Sequence, residues 1–573
     1  MYYEKLAALY EEIGKTSKRL EKTEIISTFL KKCEKEDFNL VIYLLQGRVF
    51  PQSDEKKLGM SSKLLVRAIH QATGESTDNI EKGWRDEGDL GLVVEKFAEH
   101  KKQNTLFSKK LTLKKVVDNI QKLTEMEGTG TVNKKIGLVA ELLSSASPVE
   151  AKYVVRTVAE TLRTGIGDGM IRDSLLWAFY PNIKELREDR EKYNVAAEEL
   201  QHAFNVTNDF GMLAEILEEK GQKGLIHAQM AVGKPIKAML YPKVQNIEEG
   251  FEVVGKPAII EPKLDGFRVQ IHRIKDDIKL FTRRLEEVTK QFPDVVKVVK
   301  DNVRSKDFIL DSEVVGIDSK TKRAIPFQNI SQRIRRKHDI EKLVKLLPVV
   351  VHVFDIIELN GENLLTVPLH ERKKLLQAVL KSKTNSIHII DQLVTSDAKK
   401  TESYYKECLD MGHEGIMMKM IEGPYKPGKR VGQGVKVKPV MESLDLVIVE
   451  AHWGEGKRAK WFSSFTVACK DGDTLKKIGK VGTGIKEKSE EGVTFLELTT
   501  ELKKLIINEK GKTVTVKPQV ILEIIYEEIQ KSPTYSSGYA LRFPRVHRLR
   551  LDKGLSEINS LDDIDHLFNA QKK

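Results

Sequence analysis

The spacing of apolar residues divides the chain into three stretches. Up to about residue 220, apolar side chains recur every three or four positions, as in "KLAALYEEIGKTSKRLEKTEIISTFLKKC" and "VEAKYVVRTVAETLRTGIGDGMIRDSLLWAFY". That is the period of amphipathic helices. From about residue 235 the period falls to two. "FRVQIHRI", "DFILDSEVVGI" and "LPVVVHVFDIIEL" predict strands, with helical pieces such as "HERKKLLQAVLKS" between them. After "VKVKPV" the strands shorten. "LDLVIVEAHWG", "WFSSFTVACKDG", "KIGKVGTG" and "QVILEIIYEEI" are separated by Gly and Asp turns, the pattern of a small all-β barrel. The expected order is a helical domain, a mixed α/β domain and a small β domain. Trp453 and Trp461 are expected to pack inside the barrel.

Length agrees with this division, since 573 residues make about three domains. The net charge of +12 favours a polyanionic partner such as nucleic acid, although a generally Lys-rich composition gives the same sign. Three scattered cysteines, Cys33, Cys408 and Cys469, exclude a disulfide framework and a four-cysteine zinc site, and they fit a reducing cytoplasm. No apolar run approaches the roughly 18 residues that cross a bilayer, and the charged N-terminus lacks a signal-peptide core. No membrane association is expected.

The chemistry concentrates around "IIEPKLDGFRVQIHR", residues 259–273. An apolar strand ends there in Glu261, Lys263, Asp265 and Arg268, charges that are costly in a buried place unless each has a partner or a task. A nucleophilic lysine needs desolvation or neighbouring cations to free its lone pair. Lys263 follows a buried-looking strand, Asp265 can orient its amine, and Gly266 lets a phosphate approach the backbone. Arg268 offers a planar fork to phosphate or ribose. A surface turn closed by a salt bridge would use the same residue types.

Further pieces follow in order. "FTRRLEEVT" puts Arg283 at a strand end, with Arg284 beside it. "ILDSEVVG" buries Glu313, a ligand for metal or sugar or else a salt-bridge partner. "VVVHVFDIIELNG" presents Phe354, a stacking face or a core residue. "HEGIMMK" sets Glu414 before Gly415. "YKPGKRVGQGVKVKP" gathers Arg430, Lys436 and Lys438, the last two at strand spacing on one face. His272 and His413 fall inside these pieces without an assigned role.

These segments, with "ALRFPRVHRLRLDKG" near the C-terminus and "YLLQGRVFP" and "LRTGIGDGMIRD" in the helical part, resemble the successive motifs of the ATP-dependent DNA ligases, closest to the archaeal replicative type. The resemblance covers nearly the whole chain. It implies a multidomain fold. Residues 1–225 would form an all-α DNA-binding domain, 226–440 an α/β nucleotidyltransferase (ATP-grasp-like) domain, and 441–573 an all-β OB-fold barrel. It implies sealing of nicks in double-stranded DNA, in replication, repair and recombination, through a lysyl-AMP on Lys263 and a DNA-adenylate. Residue by residue, it sets Glu261 beside the adenine and Phe354 stacked on it. Arg268, Arg283 and Glu313 line the nucleotide and the nick phosphate, with Arg284 the weaker alternative to Arg283. Arg430, Lys436 and Lys438 neutralise the phosphates. Glu313 and Glu414 hold a divalent ion, Mg2+ with Mn2+ as a substitute. Arg542, Arg545 and Lys553 reach the β- and γ-phosphates of ATP.

In the helical part, Gly165, Gly167 and Gly169 either direct backbone amides at DNA phosphates or simply cap helices. Within "KKQNTLFSKKL", Gln103, Leu106 and Phe107 resemble a short sliding-clamp-binding box, against the alternative of an ordinary anchored loop. A monomer, cytoplasmic and associated with the nucleoid, is expected. Three other readings compete. An RNA ligase or capping-type nucleotidyltransferase shares the lysine chemistry but not the long helical domain. An NAD-dependent ligase would need the missing cysteine cluster. A silent DNA-binding scaffold would not need Lys263, Glu313 and Glu414 together.

Overall fold

The computed structural model describes residues 1–573 except 52, 53, 55, 57, 100–109, 127–129, 229, 231, 319, 322, 326, 337, 384, 429–431, 440, 441, 488–491, 572 and 573. By compactness the chain forms two units. One comprises 1–59, 112–125 and 164–439; the other comprises 60–111, 126–163 and 440–573.

The first 220 residues are helical, as the three-to-four spacing predicts. Stop and start signals are local. Ser147 caps the helix Pro148–Val158 through a reciprocal capping box with Glu150, and Asp209 caps Phe210–Lys220. The helix Asp168–Phe179 begins at Gly167 and brings its first turn to a cavity of about 120 Å³ lined also by Gln46 and Arg48.

The rest of the first unit is built on two sheets. The five-stranded sheet has the order β1 (Lys243–Val244), β12 (Gly434–Val437), β11 (Ile416–Met420), β2 (Ala258–Pro262), β10 (Leu393–Thr395). The seven-stranded sheet runs β4 (Asp277–Thr282), β3 (Phe267–Ile274), β5 (Asp307–Ile317), β7 (Val349–Leu359), β8 (Glu362–Asn363), with β6 (Ala324–Ile325) on β5 and β9 (Ile387–Ile389) on β7. β3, β5 and β7 are antiparallel and rich in Val, Ile and Phe, residues that fit a pleated, buried surface. Val269, Ile271, Leu310, Val314, Val351 and Val353 enter one core, backed by the helices Pro293–Asn302 and Leu369–Val379. Ile260, Ile416, Met418, Val435 and Val437 form a second core in the five-stranded sheet.

In the second unit the C-terminal segment is β-rich. β13 (Leu444–Trp453) sits between β14 (Phe462–Asp471) and β17 (Thr513–Val516), with β15 (Thr474–Val481) and β16 (Ile506–Lys510) at the edges. β18 (Ile521–Ile525) pairs both β13 and β21 (Arg545–Leu549), while β19 (Glu528–Lys531) and β20 (Tyr539–Arg542) form a separate ribbon. The strands wrap a core in which Phe462, Phe465, Val467 and Ile524 are fully buried. Trp453 packs against it, its ring 4.2 Å from that of Phe462. Trp461 stacks parallel to Phe495 at 6.5 Å. Among the described residues no helix is long and apolar enough to cross a membrane.

Candidate functional site

Every side chain of β2 is buried, and Lys263 stands at its exit. The backbone fixes what it faces. Lys263 N–H donates to the Gly415 carbonyl, and Glu414 N–H donates to the Lys263 carbonyl, each at 2.8 Å. Gly415 makes this possible. Its φ is +136°, and a Cβ there would fall 2.2 Å from the Val437 carbonyl oxygen. Gly266 is held to glycine by contact as well, since a Cβ would meet the Val314 carbonyl at 2.6 Å.

The Lys263 ammonium donates to Glu414 Oε2, and the same oxygen accepts from Lys438 Nζ at 2.7 Å. The three side chains keep 21%, 17% and 14% of their surface exposed, enough for a ligand to reach them. Burial pushes the Glu414 carboxyl up, but the two ammoniums outweigh it and bring it to about 2. One carboxylate thus holds two cations at the mouth of the strand.

The seven-stranded sheet supplies the opposite wall. Strand register lines up Arg268 on β3, Glu313 on β5, His352 on β7 and His388 on β9 as direct cross-strand neighbours. Burial raises Glu313 to about 8, against the pull of Lys263 and Arg268. The two histidine rings meet edge-on at 4.3 Å, and burial lowers both, His352 to about 3. Phe354 is half-buried against Leu264, Val315 and Ile390. Lys419 Nζ lies 4.7 Å from its ring centroid and the Arg268 guanidinium carbon 5.3 Å, distances of cation–π contact. The two sheets therefore meet at Phe354, and Lys263 lies close enough to Glu313 to act on its charge.

Behind these groups the remaining charges are matched. Arg268 grips both carboxylate oxygens of Asp311 at 2.9 and 2.5 Å and donates to the Met239 carbonyl at 2.6 Å. The Tyr425 hydroxyl donates to Asp311 at 2.8 Å. Burial works against the guanidinium's charge, yet Asp311 outweighs it and holds the pKa well above the arginine range. The hydrogen bonds of Arg268 described here all point inward. Glu261, 1% exposed, lies between Lys373 and Lys419, the latter at 2.5 Å. Burial raises the Glu261 carboxyl, but the lysines outweigh it and leave it lowered.

Lys436 is half-buried on β12, and Arg283 and Arg284 are exposed just past β4. Asp265 accepts from the Phe327 backbone N–H at 3.2 Å, at the start of a helix. Arg430 lies outside the described residues. Arg542, Arg545 and Lys553 belong to the second unit. There Arg542 pairs with Glu528 at 2.9 Å, Lys553 shares Asp445 with Arg550 at 2.6 and 3.0 Å, and Arg545 is exposed. Gln103, Leu106 and Phe107 also lie outside the described residues.

Sequence comparison identifies the frame that holds this cluster. Residues 238–438 match the ATP dependent DNA ligase domain, 1–176 the DNA ligase N terminus and 458–553 the ATP dependent DNA ligase C terminal region. A DNA ligase of Nanoarchaeum equitans is 45% identical over 100% of this chain and 99% of its own length. That of Archaeoglobus fulgidus is 38% identical over 100% and 99%. The chain belongs to the archaeal ATP-dependent DNA ligases.

A solved structure described as Pmar-Lig_PreS3 shares the fold, with a TM-score of 0.58 and 18% identity over 95% of this ligase and 99% of that chain. The ligase architecture seen here is a helical N-terminal region, a nucleotidyltransferase core and a C-terminal β domain. Sequence reasoning left out five groups around the site: Asp311, Tyr425, Lys419, and the tandem Arg372 and Lys373. Asp311 carries the same local signal as Glu313, a charge inside an apolar strand, whereas nothing local marks Tyr425 in its loop. Arg372 and Lys373 do leave a trace. In "LHERKKLLQAV" they occupy the inner turn between Leu369 and Leu376, where the helical period calls for apolar residues.

Proposed function

We infer that this ligase seals nicks in double-stranded DNA by three nucleotidyl transfers, serving replication, repair and recombination. The Lys263 amine attacks the α-phosphorus of ATP, pyrophosphate leaves, and a lysyl-AMP phosphoramidate remains. The 5′-phosphate of the nick then takes the adenylyl group and frees the lysine. The 3′-hydroxyl attacks that phosphate, the phosphodiester forms and AMP departs. Splitting the condensation in this way replaces one hard step by three displacements.

The observation that carries this reading is the shared carboxylate of Glu414. It holds Lys263 in place as an ammonium, which must give up a proton before it can attack; the neighbouring Lys438 cation favours that loss once the carboxylate is drawn away. We assign Phe354 to stacking on the adenine and Glu261 to its edge through its backbone, its carboxylate being enclosed by Lys373 and Lys419. Arg283 and Glu313 line the ribose and nick phosphate, with Arg268 behind them braced by Asp311, and Arg430, Lys436 and Lys438 balance charge on the α-phosphate. Arg542, Arg545 and Lys553 act on the β- and γ-phosphates. Positive charge aimed at phosphoryl oxygens is the main source of rate in such transfers.

Glu313 and Glu414 suit a magnesium ion. Mg2+ is commonly bound by one or two carboxylates together with substrate phosphates. Among the described residues no group of three or more His, Cys, Asp or Glu forms a protein-only cage. Such an ion, when bound, supplies a Lewis acid for the phosphoryl oxygens. Mn2+ can take its place.

We retain domain limits of 1–225, 226–440 and 441–573, with an ATP-grasp-like core and an OB-type barrel for the last. Gln103, Leu106 and Phe107 are proposed to dock on a sliding clamp, and the enzyme to work as a cytoplasmic, nucleoid-associated monomer. The test is sealing of a 5′-labelled nicked duplex. Wild type joins it with ATP, Lys263→Ala does not, and Lys263→Ala still joins a nick whose 5′-phosphate already carries AMP. Sealing from ATP by Lys263→Ala at the wild-type rate would overturn the reading.

A further inference from the structure

The Leu369–Val379 helix turns four residues inward: Leu369, Arg372, Lys373 and Leu376. Two of the four are cations. Burying a charge costs several kcal/mol unless it is paired and hydrogen-bonded, so their partners matter. Arg372 grips both oxygens of Asp355 at 2.7 and 2.8 Å, and also donates to the carbonyls of Val367 and, at 3.2 Å, Gly423. Lys373 donates to Glu261. All four side chains are 4% exposed or less.

The two acids lie in different sheets. Glu261 is on β2 of the five-stranded sheet, two residues before Lys263. Asp355 is on β7 of the seven-stranded sheet, next to Phe354. Adjacent residues of one helix therefore fasten the strand that delivers the nucleophile and the strand that carries the aromatic platform. Glu261 also takes Lys419, which reaches across to the Phe354 ring. The chain of contacts Lys373, Glu261, Lys419, Phe354 closes from one sheet to the other, and Arg372 with Asp355 closes it a second time.

Charge compensation alone does not account for this. Glu261 and Lys419 would be balanced without Lys373, and the cluster of Glu261, Asp355, Arg372, Lys373 and Lys419 holds three cations against two anions. We propose that Arg372 and Lys373 are positioning residues, which set the separation between the lysine nucleophile and the adenine platform and so govern how the nucleotide is bound before transfer. This rests on the assignment of Lys263 and Phe354 above.

The test is self-adenylation of the full chain with α-labelled ATP, titrated for KM and kcat and normalised to folded protein. Wild type verifies the underlying assignment by acquiring label on Lys263; absence of label there fails that assignment and not this inference alone. Lys373→Met should raise the KM for ATP by about tenfold or more, as loss of ground-state nucleotide binding does. The change in kcat should be much smaller, the preference for ATP over GTP should shrink, and Lys373→Arg should restore most of the loss. Should Lys373→Met fold poorly, Arg372→Lys takes its place, since it keeps the charge but gives up the two-pronged grip on Asp355. An unchanged KM in folded Lys373→Met or Arg372→Lys, or a loss of kcat alone, would overturn the proposal.

Discussion

The core of this ligase uses one arrangement twice, a carboxylate held between two lysines. Glu414 lies between Lys263 and Lys438, and Glu261 between Lys373 and Lys419. The first triad keeps 14% to 21% of each side chain exposed, whereas the second keeps 4% or less. Burial decides what each can do. In the open triad water or a phosphate can replace a partner, so the pairs can be exchanged as charge moves through the reaction. In the closed triad no replacement can enter, so the pairs are fixed and serve as framework. Burial also lowers the Lys373 pKa, with Glu261 opposing it. On the proposed function, the same arrangement is machinery in one place and scaffold in the other.

Exchanging the two carboxylates for amides should separate these roles most sharply. Glu261→Gln strands two buried ammoniums and should cost about 3–5 kcal/mol of stability, the penalty for breaking a buried pair. Chemical denaturation of the nucleotidyltransferase core would read it, and a loss below about 1 kcal/mol would show that the closed triad is not structural. Glu414→Gln should do the reverse. Adenylation should fall about 10²- to 10³-fold, the usual cost of one electrostatic group at a transition state, with a smaller loss of stability than in Glu261→Gln, since the open triad can be resolvated. Rapid-quench adenylation beside a melting curve would show the split. Equal losses of stability in the two variants would erase the distinction.

A smaller effect concerns pH. Glu313 has a folded pKa of about 8 against an ordinary 4.5, because burial disfavours its charge. A raised acid contributes its stability below the ordinary pKa and loses it as pH rises through the folded one. Glu313→Gln imitates the neutral form. Its melting temperature should match wild type near pH 4 and exceed it by a few degrees at pH 9, provided no nucleotide or metal is present. A constant difference across that range would remove Glu313 from the buried group.

Much of this was legible in the chain. The change from helical to alternating spacing marks the passage from helices to sheets, and the runs around Phe267–Ile274, Asp307–Ile317 and Val349–Leu359 are strands as their β-branched residues predict. Lys263, Glu414 and Lys438 stand at the ends of β2, β11 and β12, and Glu313 and Phe354 interrupt the apolar runs of β5 and β7. Charges standing out against apolar runs are visible locally. Pairing across sequence is not. Nothing near Arg268 announces Asp311 or Tyr425, and the strand alone suggests a fork aimed at phosphate, whereas the structure turns the guanidinium inward. Arg372 and Lys373 are an intermediate case. Their helix was legible, but its inward face carries cations where leucines would be expected, and only the sheet acids Asp355 and Glu261 explain them.

The open triad's central claim is that Lys263 carries the nucleotide, and mass mapping of the protein after incubation with ATP and magnesium tests it most directly. The account predicts a single added AMP on the peptide containing Lys263, absent in Lys263→Arg and discharged by nicked DNA. An adenylate on any other residue, or sealing from ATP with no adduct on that peptide, would contradict it.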